Sequence, residues 1–313
     1  MHRLNYIFRR VLQIIPVLLL VTVLIFLLMR LIPGDPVEVM LGEKYTHEKA
    51  EVIRENLGLN KPLYVQYMIF LRNLCRLDFG NSIVYIVPVS QLLTRRIGIT
   101  LLLTLMTAFF VLIISFPLGF IAAVNRNRPG DQIIRIGALV SLALPQFWIG
   151  LLLLLFFGLK LRWLPVAGWG TTWLEHLQSL ILPAFTQSLA TSSLIVRNLR
   201  NAIIDVLNSD YVDFARSKGL KPKVVRSRYV LRNALISTVT LFSMRITYML
   251  SGSVVIETVF ALPGIGSLLV SSILSRDYAV VQATVFVFAA LVLIANLATD
   301  VFYSVLDPRV RLE

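Results

Sequence analysis

Long uncharged apolar stretches alternate along this chain with short polar ones. They run from Val11 to Met29, Ile97 to Asn125, Ile136 to Leu159, His176 to Val196 and Tyr278 to Thr299, while Asn233 to Ile256 is interrupted only by Arg245. Each can supply the roughly 20 helical residues needed to cross a bilayer. The pattern therefore predicts six transmembrane helices and an all-α integral membrane fold. Arg3, Arg9 and Arg10 before the first stretch resemble the start of a signal peptide, but the run is too long and Leu31-Ile-Pro-Gly-Asp35 is a poor cleavage site, so it is read as a retained span.

The polar stretches divide the chain into an N-terminus over 1–10, a first span over 11–32, a loop subdomain over 33–96, a membrane core over 97–305 with a polar loop at 205–232, and a C-terminus over 306–313. The subdomain opens on the turn Pro33-Gly-Asp-Pro36. Short helices are expected over Thr46–Leu57, with Thr46 as its cap, and over Tyr64–Leu74. Arg126-Asn-Arg-Pro-Gly-Asp131 and Leu164-Pro-Val-Ala-Gly168 read as turns. Neither a repeat nor a detachable linker is evident.

Composition agrees with lipid as the solvent. Of 313 residues, 57% are hydrophobic, more apolar surface than one soluble core of this length would bury. The formal net charge is +13, and its distribution orients the chain. Loops on the side of the N-terminus carry 17 basic and 6 acidic residues, and those on the other side 11 and 9. Most of the 11 lie in a loop too long to count strongly, so both termini are expected in the cytoplasm and 33–96 outside. That asymmetry accounts for the charge without nucleic acid as a partner. Cys75 is the single cysteine, so no disulfide can form within the chain. His2, His47 and His176 are isolated, and no metal site is expected.

In the loop 205–232, Ser209-Asp-Tyr-Val-Asp-Phe-Ala-Arg-Ser-Lys-Gly-Leu220 reads as a short helix at the membrane surface. Ser209 suits its cap, Asp210 and Asp213 its positive N-terminal end, Arg216 and Lys218 its last turn, and Gly219 a left-handed stop. Tyr211, Phe214 and Ala215 share a face by their spacing. A short amphipathic helix with a small residue on that face suits insertion into a groove on another protein.

This segment, followed by Leu231-Arg-Asn-Ala234, resembles the cytoplasmic coupling loop of ABC importer permeases of the dipeptide, oligopeptide, nickel and glutathione family. The likeness extends to Pro33-Gly-Asp-Pro36, Leu57-Gly-Leu59, Asp78-Phe-Gly80, Pro117-Leu-Gly119, Phe147-Trp148, Trp163-Leu-Pro165, Ile181-Leu-Pro183, Pro263-Gly-Ile-Gly266, Arg276-Asp-Tyr278 and Asp307-Pro-Arg309. The order and spacing of these motifs together make the resemblance specific. Tyr229, Ser237 and Leu262 depart from its common histidine, proline and tryptophan.

The resemblance implies a type I ABC importer permease fold in a bacterial cytoplasmic (inner) membrane. It implies a subunit forming half of a pathway for a dipeptide, oligopeptide, glutathione or nickel chelate. The implied partners are a homologous second permease, two ATP-binding subunits, an external solute-binding protein and membrane lipid. Tyr211, Asp213, Phe214, Ala215, Arg216, Lys218, Gly219 and Leu220 would then couple ATP hydrolysis to transport. The chain has no Gly-x-x-x-x-Gly-Lys-Ser/Thr loop. No catalytic residue or cofactor is expected in it, and ATP and Mg belong to the partner ATPases.

Arg245, Gln187 and Thr191 are the candidates for lining the pathway. An ionised group near mid-span is costly and normally faces the bundle interior or a wet cavity. For Arg245 two readings stand: a partner for a carboxylate of the solute, or a structural pair with Glu257 or Asp300. The polar run Thr186, Gln187, Ser188, Thr191, Ser192 and Ser193 suits either a wet pathway or hydrogen-bonded packing. The alternative to an ATP-driven importer is a secondary transporter or channel that works without ATPases, for which inverted repeats or a mid-span carboxylate would be the marks. An intramembrane enzyme would need a nucleophile and base, or metal ligands, within the bilayer, and none is found.

Overall fold

Each apolar run read above is helical over most of its length. The computed structural model describes residues 2–31, 37, 46–56 and 60–306; the motifs Pro33–Pro36, Leu57–Leu59 and Asp307–Arg309 lie outside them. Among the described residues the fold is all-helical, with one isolated bridge between Asn81 and Pro88. The helices are α1 (His2–Leu31), α2 (His47–Asn56), α3 (Leu63–Cys75), α4 (Val89–Val124), α5 (Pro129–Ala143), α6 (Gln146–Leu153), α7 (Trp173–Leu207), α8 (Asp210–Ser217), α9 (Arg232–Val259), α10 (Ile265–Leu274) and α11 (Tyr278–Leu306).

By length and composition four stretches can cross a membrane: α4, α7, Pro222–Val259 and Tyr278–Val301. The apolar part of α1 is Leu12–Leu28. The stretch expected to form the third span is broken: α5 and α6, the latter continued as a wide π-turn over Leu154–Lys160, meet at 106°. Pro145 accounts for the break. It has no N–H for the helix ladder and its ring disfavours helical backbone in the residue before it; Leu144 adopts φ −88°, ψ 137°.

The chain forms two compact units, one of Met1–Arg3, Thr100–Leu262 and Ala295–Glu313, the other of Leu4–Ile99 and Pro263–Ile294. In the second, α3 packs on α1 through Phe26 and Tyr67, whose ring centroids are 5.3 Å apart, with Thr22 Oγ1 3.0 Å from the Tyr67 hydroxyl. Arg30 lies 3.5 Å over the Phe26 ring. The start of α4 (Val89, Leu92, Leu93) shares a buried cluster with Ile265, Leu268, Val280 and Ala283 of α10 and α11. Asp277, fully buried, accepts from Ser82 Oγ at 2.5 Å and from the backbone N–H groups of Ile83 and Val84. The described part of 33–96 is thus packed with most of α1 and with Pro263–Ile294. Helix α10, ten apolar residues between Gly264 and Ser275, was not anticipated.

In the first unit α4, α7 and α9 pack side by side. Gly119 permits the approach of α4 to α7, because a Cβ there would stand 2.9 Å from Leu199 Cδ2. Gln187 of α7 is buried and ties three helices together: its Nε2 donates to Met249 O at 2.5 Å, and its Oε1 accepts from Thr107 Oγ1 at 3.1 Å. Thr186, Ser188 and Ser193 turn their hydroxyls back onto the carbonyls of Leu182, Phe185 and Leu189. Of this polar run, Gln187 bonds between helices, while these three hydroxyls bond within α7 itself.

Candidate functional site: a rooted surface helix and a polar groove

The loop expected over 205–232 is mostly helical. Helix α7 persists to Leu207, α8 follows, and from Pro222 the chain winds through a short turn and a π-turn over Val225–Leu231 into α9. Helix α8 begins where the sequence places it. Ser209 has the extended backbone of an N-cap, φ −89° and ψ 144°, but its hydroxyl donates to Val206 O at 2.6 Å and makes no cap bond. Asp210 and Asp213 occupy the first turn, where negative charge is favoured by the helix dipole.

The stop is a Schellman motif. Gly219 N–H donates to Arg216 O at 2.9 Å and Leu220 N–H to Ala215 O at 3.4 Å. Gly219 lies at φ +74°, and a Cβ there would meet nothing within 4 Å. Its requirement for glycine is conformational, with open space on the outward side.

The face expected to hold Tyr211, Phe214 and Ala215 together is split. Ala215 and Val212 are buried and belong to a cluster with Ala123 of α4, Leu199 and Ile203 of α7, Val225, Val230 and Ala234. Tyr211 and Phe214 are 43% and 61% exposed. Helical spacing allowed the grouping, but the apolar stripe is narrow, and the chain's own core takes the Val212–Ala215 side of it. Lys218 Nζ stands 4.5 Å from the Phe214 ring centroid, and Arg216 pairs with Asp213 at 3.1 Å. The Tyr211 hydroxyl accepts from Asn233 Nδ2 at 3.1 Å. Asp213, Arg216, Lys218, Gly219 and Leu220 are all exposed. Helix α8 thus presents aromatic rings and charges outward from an apolar root.

One anchor of this region was not singled out in the sequence. Asp131, fully buried at the start of α5, is gripped by Arg200 of α7 and also accepts from the backbone N–H of Asn127 at 3.0 Å. Asn127 has φ 61°, a left-handed turn that brings its N–H round to the carboxylate.

Helices α7 and α9 border a cavity of ≈ 500 Å³ lined in part by Arg197, Asn198, Asn201, Asp205, Ser237 and Arg245. Arg245 stacks 5.0 Å from the Tyr248 ring and forms no ion pair among the described residues. Glu257 is not its partner: twelve residues along the same helix put it about 18 Å away, buried and accepting from Thr100 Oγ1 at 2.7 Å. Of the three residues expected on a pathway, Arg245 lines the cavity, Thr191 is half-buried on α7, and Gln187 is buried in packing. Arg197, Asn201 and Asp205 recur every four residues on α7. That period is present in the sequence, but Arg197 closes the uncharged run at Val196, so hydropathy alone leaves these positions outside the span.

Residues 115–312 match the family described as binding-protein-dependent transport system inner membrane component, and residues 3–104 its N-terminal companion, binding-protein-dependent transport system membrane component, N-term. The chain is 40% identical over 312 residues to the oligopeptide transport system permease protein AppB of Bacillus subtilis (strain 168), covering 98% of this chain and 99% of that protein. It is 38% identical over 308 residues to the glutathione transport system permease protein GsiC of Escherichia coli (strain K12), with the same coverage. Among solved structures, an inward-facing MetNI methionine ABC transporter aligns with TM-score 0.57 at 17% identity, over 69% of this chain and 97% of that one. An amino acid ABC transporter aligns with TM-score 0.55 at 12% identity, over 69% and 94%. The last two likenesses concern the fold. The matches that span nearly the whole sequence settle the class: this chain belongs to the binding-protein-dependent transport system inner membrane components and is a multi-pass permease subunit of an ABC importer.

Proposed function

We propose that the chain forms half of an ATP-driven pathway for a peptide or peptide-like solute. A homologous permease supplies the other half, two ATP-binding subunits hydrolyse ATP with Mg, and an external protein delivers the solute. The chain crosses the inner membrane six times, with the bent α5–α6 pair as one crossing and both termini in the cytoplasm. It binds no cofactor of its own. The oligopeptide and glutathione systems of its relatives support the solute class.

Helix α8 is the coupling element of this reading, with Tyr211, Asp213, Phe214, Arg216, Lys218, Gly219 and Leu220 meeting an ATPase, and Ala215 serving it from behind. The observation that carries the proposal is the exposed pair Tyr211 and Phe214 on a helix whose opposite side is rooted in the core. An aromatic pair held rigidly at a surface suits insertion into a protein cleft.

The test is Gly219→Trp in the assembled transporter. Its side chain would fill the open space beside the stop, so solute uptake is expected to be lost while ATP hydrolysis continues without coupling. Wild-type uptake would overturn the assignment. A secondary transporter or channel is separated by a second measurement: this chain alone in vesicles, given an ion gradient, is expected to accumulate no solute.

A further inference from the structure

Two contacts fix the register of α7 against α9. Gln187 bonds Met249 O, and eleven residues further along α7 Asn198 Oδ1 accepts from Thr238 Oγ1 at 3.2 Å, eleven residues earlier on α9. The helices are therefore antiparallel and in step. Thr191 lies at the level of Arg245, four residues from each member of the upper contact. Arg197 is six residues below that level, about 9 Å, and Asp205 a further 12 Å or so toward α8. The cavity thus has an ordered ladder of charges along its length.

The upper part of its wall is rich in donors. Asn198 Oδ1 is engaged by Thr238, and Asn201 Oδ1 accepts from Arg200 Nη1 at 3.2 Å. Each amide oxygen thus accepts a bond within the chain, and neither Nδ2 has a partner among the described residues. Arg197 and Arg245, which also line it, have no ion pair among the described residues. Two guanidinium forks about 9 Å apart and two amides, together spread over about 15 Å of the same wall, form an environment for an oxyanion, and guanidinium geometry matches a carboxylate in particular. The acidic group, Asp205, stands at the far end.

We propose that this groove is a two-rung track for the carboxylate of the transported solute, with Arg245 and then Arg197 as successive partners and Asp205 available to a cationic end. It rests on the reading of the chain as an importer subunit and adds the charge class of the cargo. A pair of rungs at one-helical-turn-plus spacing also avoids a single deep well, since a solute must leave each site as readily as it enters.

The experiment needs no knowledge of the natural solute. In the assembled transporter, reconstituted in phosphatidylcholine, Ser237→Cys is introduced in a Cys75→Ser chain. The rates of modification by a sulfonatoethyl and a trimethylammonioethyl methanethiosulfonate are then compared, each normalised to a free small thiol. The anionic reagent is expected to be favoured about tenfold, the scale of a guanidinium field acting at several ångströms through a partly wet medium. The preference should vanish in Arg197→Gln/Arg245→Gln and persist in Arg197→Lys/Arg245→Lys, which separates lost charge from lost structure.

No anion preference, a preference that survives neutralisation, or a thiol that neither reagent reaches would each overturn the proposal. Adding phosphatidylglycerol distinguishes the source of the anion: an unchanged ratio supports a solute site, whereas loss of the preference assigns the groove to lipid headgroups and overturns it. Because coupling is read separately through Gly219→Trp, failure here leaves the importer reading intact.

Discussion

Arg200 grips Asp131 with both sides of its guanidinium, Nε to Oδ1 and Nη2 to Oδ2, each at 2.6 Å across 69 residues of sequence. The carboxylate is fully buried and the arginine side chain 13% exposed. Such a pair ties the polar entry of α5 to the lower part of α7, next to the root of α8. Removing one partner leaves a buried charge without compensation, which costs about 3–5 kcal/mol. Asp131→Asn and Arg200→Met are each expected to lower the melting temperature of the purified transporter markedly. Arg200→Lys should recover part of the loss, because it keeps the charge without the fork.

Ala215 and Phe214 are adjacent in sequence and opposite in role, so their substitutions should separate. Ala215→Leu adds three carbons to a closed cluster and is expected to destabilise the chain by about 1–3 kcal/mol. Phe214→Ala removes an exposed ring and should shift stability by no more than about 0.5 kcal/mol while reducing uptake. Thermal melts read beside transport assays check both.

At Gly219 the two kinds of cost can be told apart. Gly219→Ala meets open space, so only the left-handed backbone is penalised, by about 1–2 kcal/mol. Gly219→Asn should cost less, since asparagine tolerates that region. Uptake retained in both, with graded melting temperatures, would assign the loss in Gly219→Trp to bulk.

Gln187 offers a test of packing against pathway. Gln187→Leu removes a hydrogen-bonded link among α4, α7 and α9 and is expected to cost about 1–3 kcal/mol, visible as a lower melting temperature. Transport per folded molecule should be unchanged. Reduced uptake with an unaltered melt would place Gln187 on the pathway instead.

Much of the fold was legible in the pattern of apolar residues. The runs at His176–Val196 and Tyr278–Thr299 lie within α7 and α11, and that at Ile97–Asn125 lies in α4 but for its last residue, because uncharged stretches of that length have few other solutions. The extent of α8 could also be read, since its stop depends on a local geometry that glycine alone satisfies easily; the Ser209 cap bond and a shared Tyr211–Phe214–Ala215 face are not what forms. What could not be read depends on neighbours distant in sequence. Whether Ala215 faces inward is decided by Leu199 and Ala234, and the partner of Asp131 by how α5 crosses α7. The bend was partly visible: Pro145 forbids an unbroken ladder, but no local signal sets an angle of 106°.

The burial of Val212 and Ala215 has a mechanical consequence. The short helix is wedged into the same apolar cluster that receives the ends of α4 and α7 and the entry to α9, and close-packed interiors compress very little. A push on Tyr211 or Phe214 would therefore be carried to those long rods through the Val212 and Ala215 contacts, like a pedal welded to its crank. Loosening the weld, by trimming Val212 to alanine, would leave the pedal free to travel while the crank stood still.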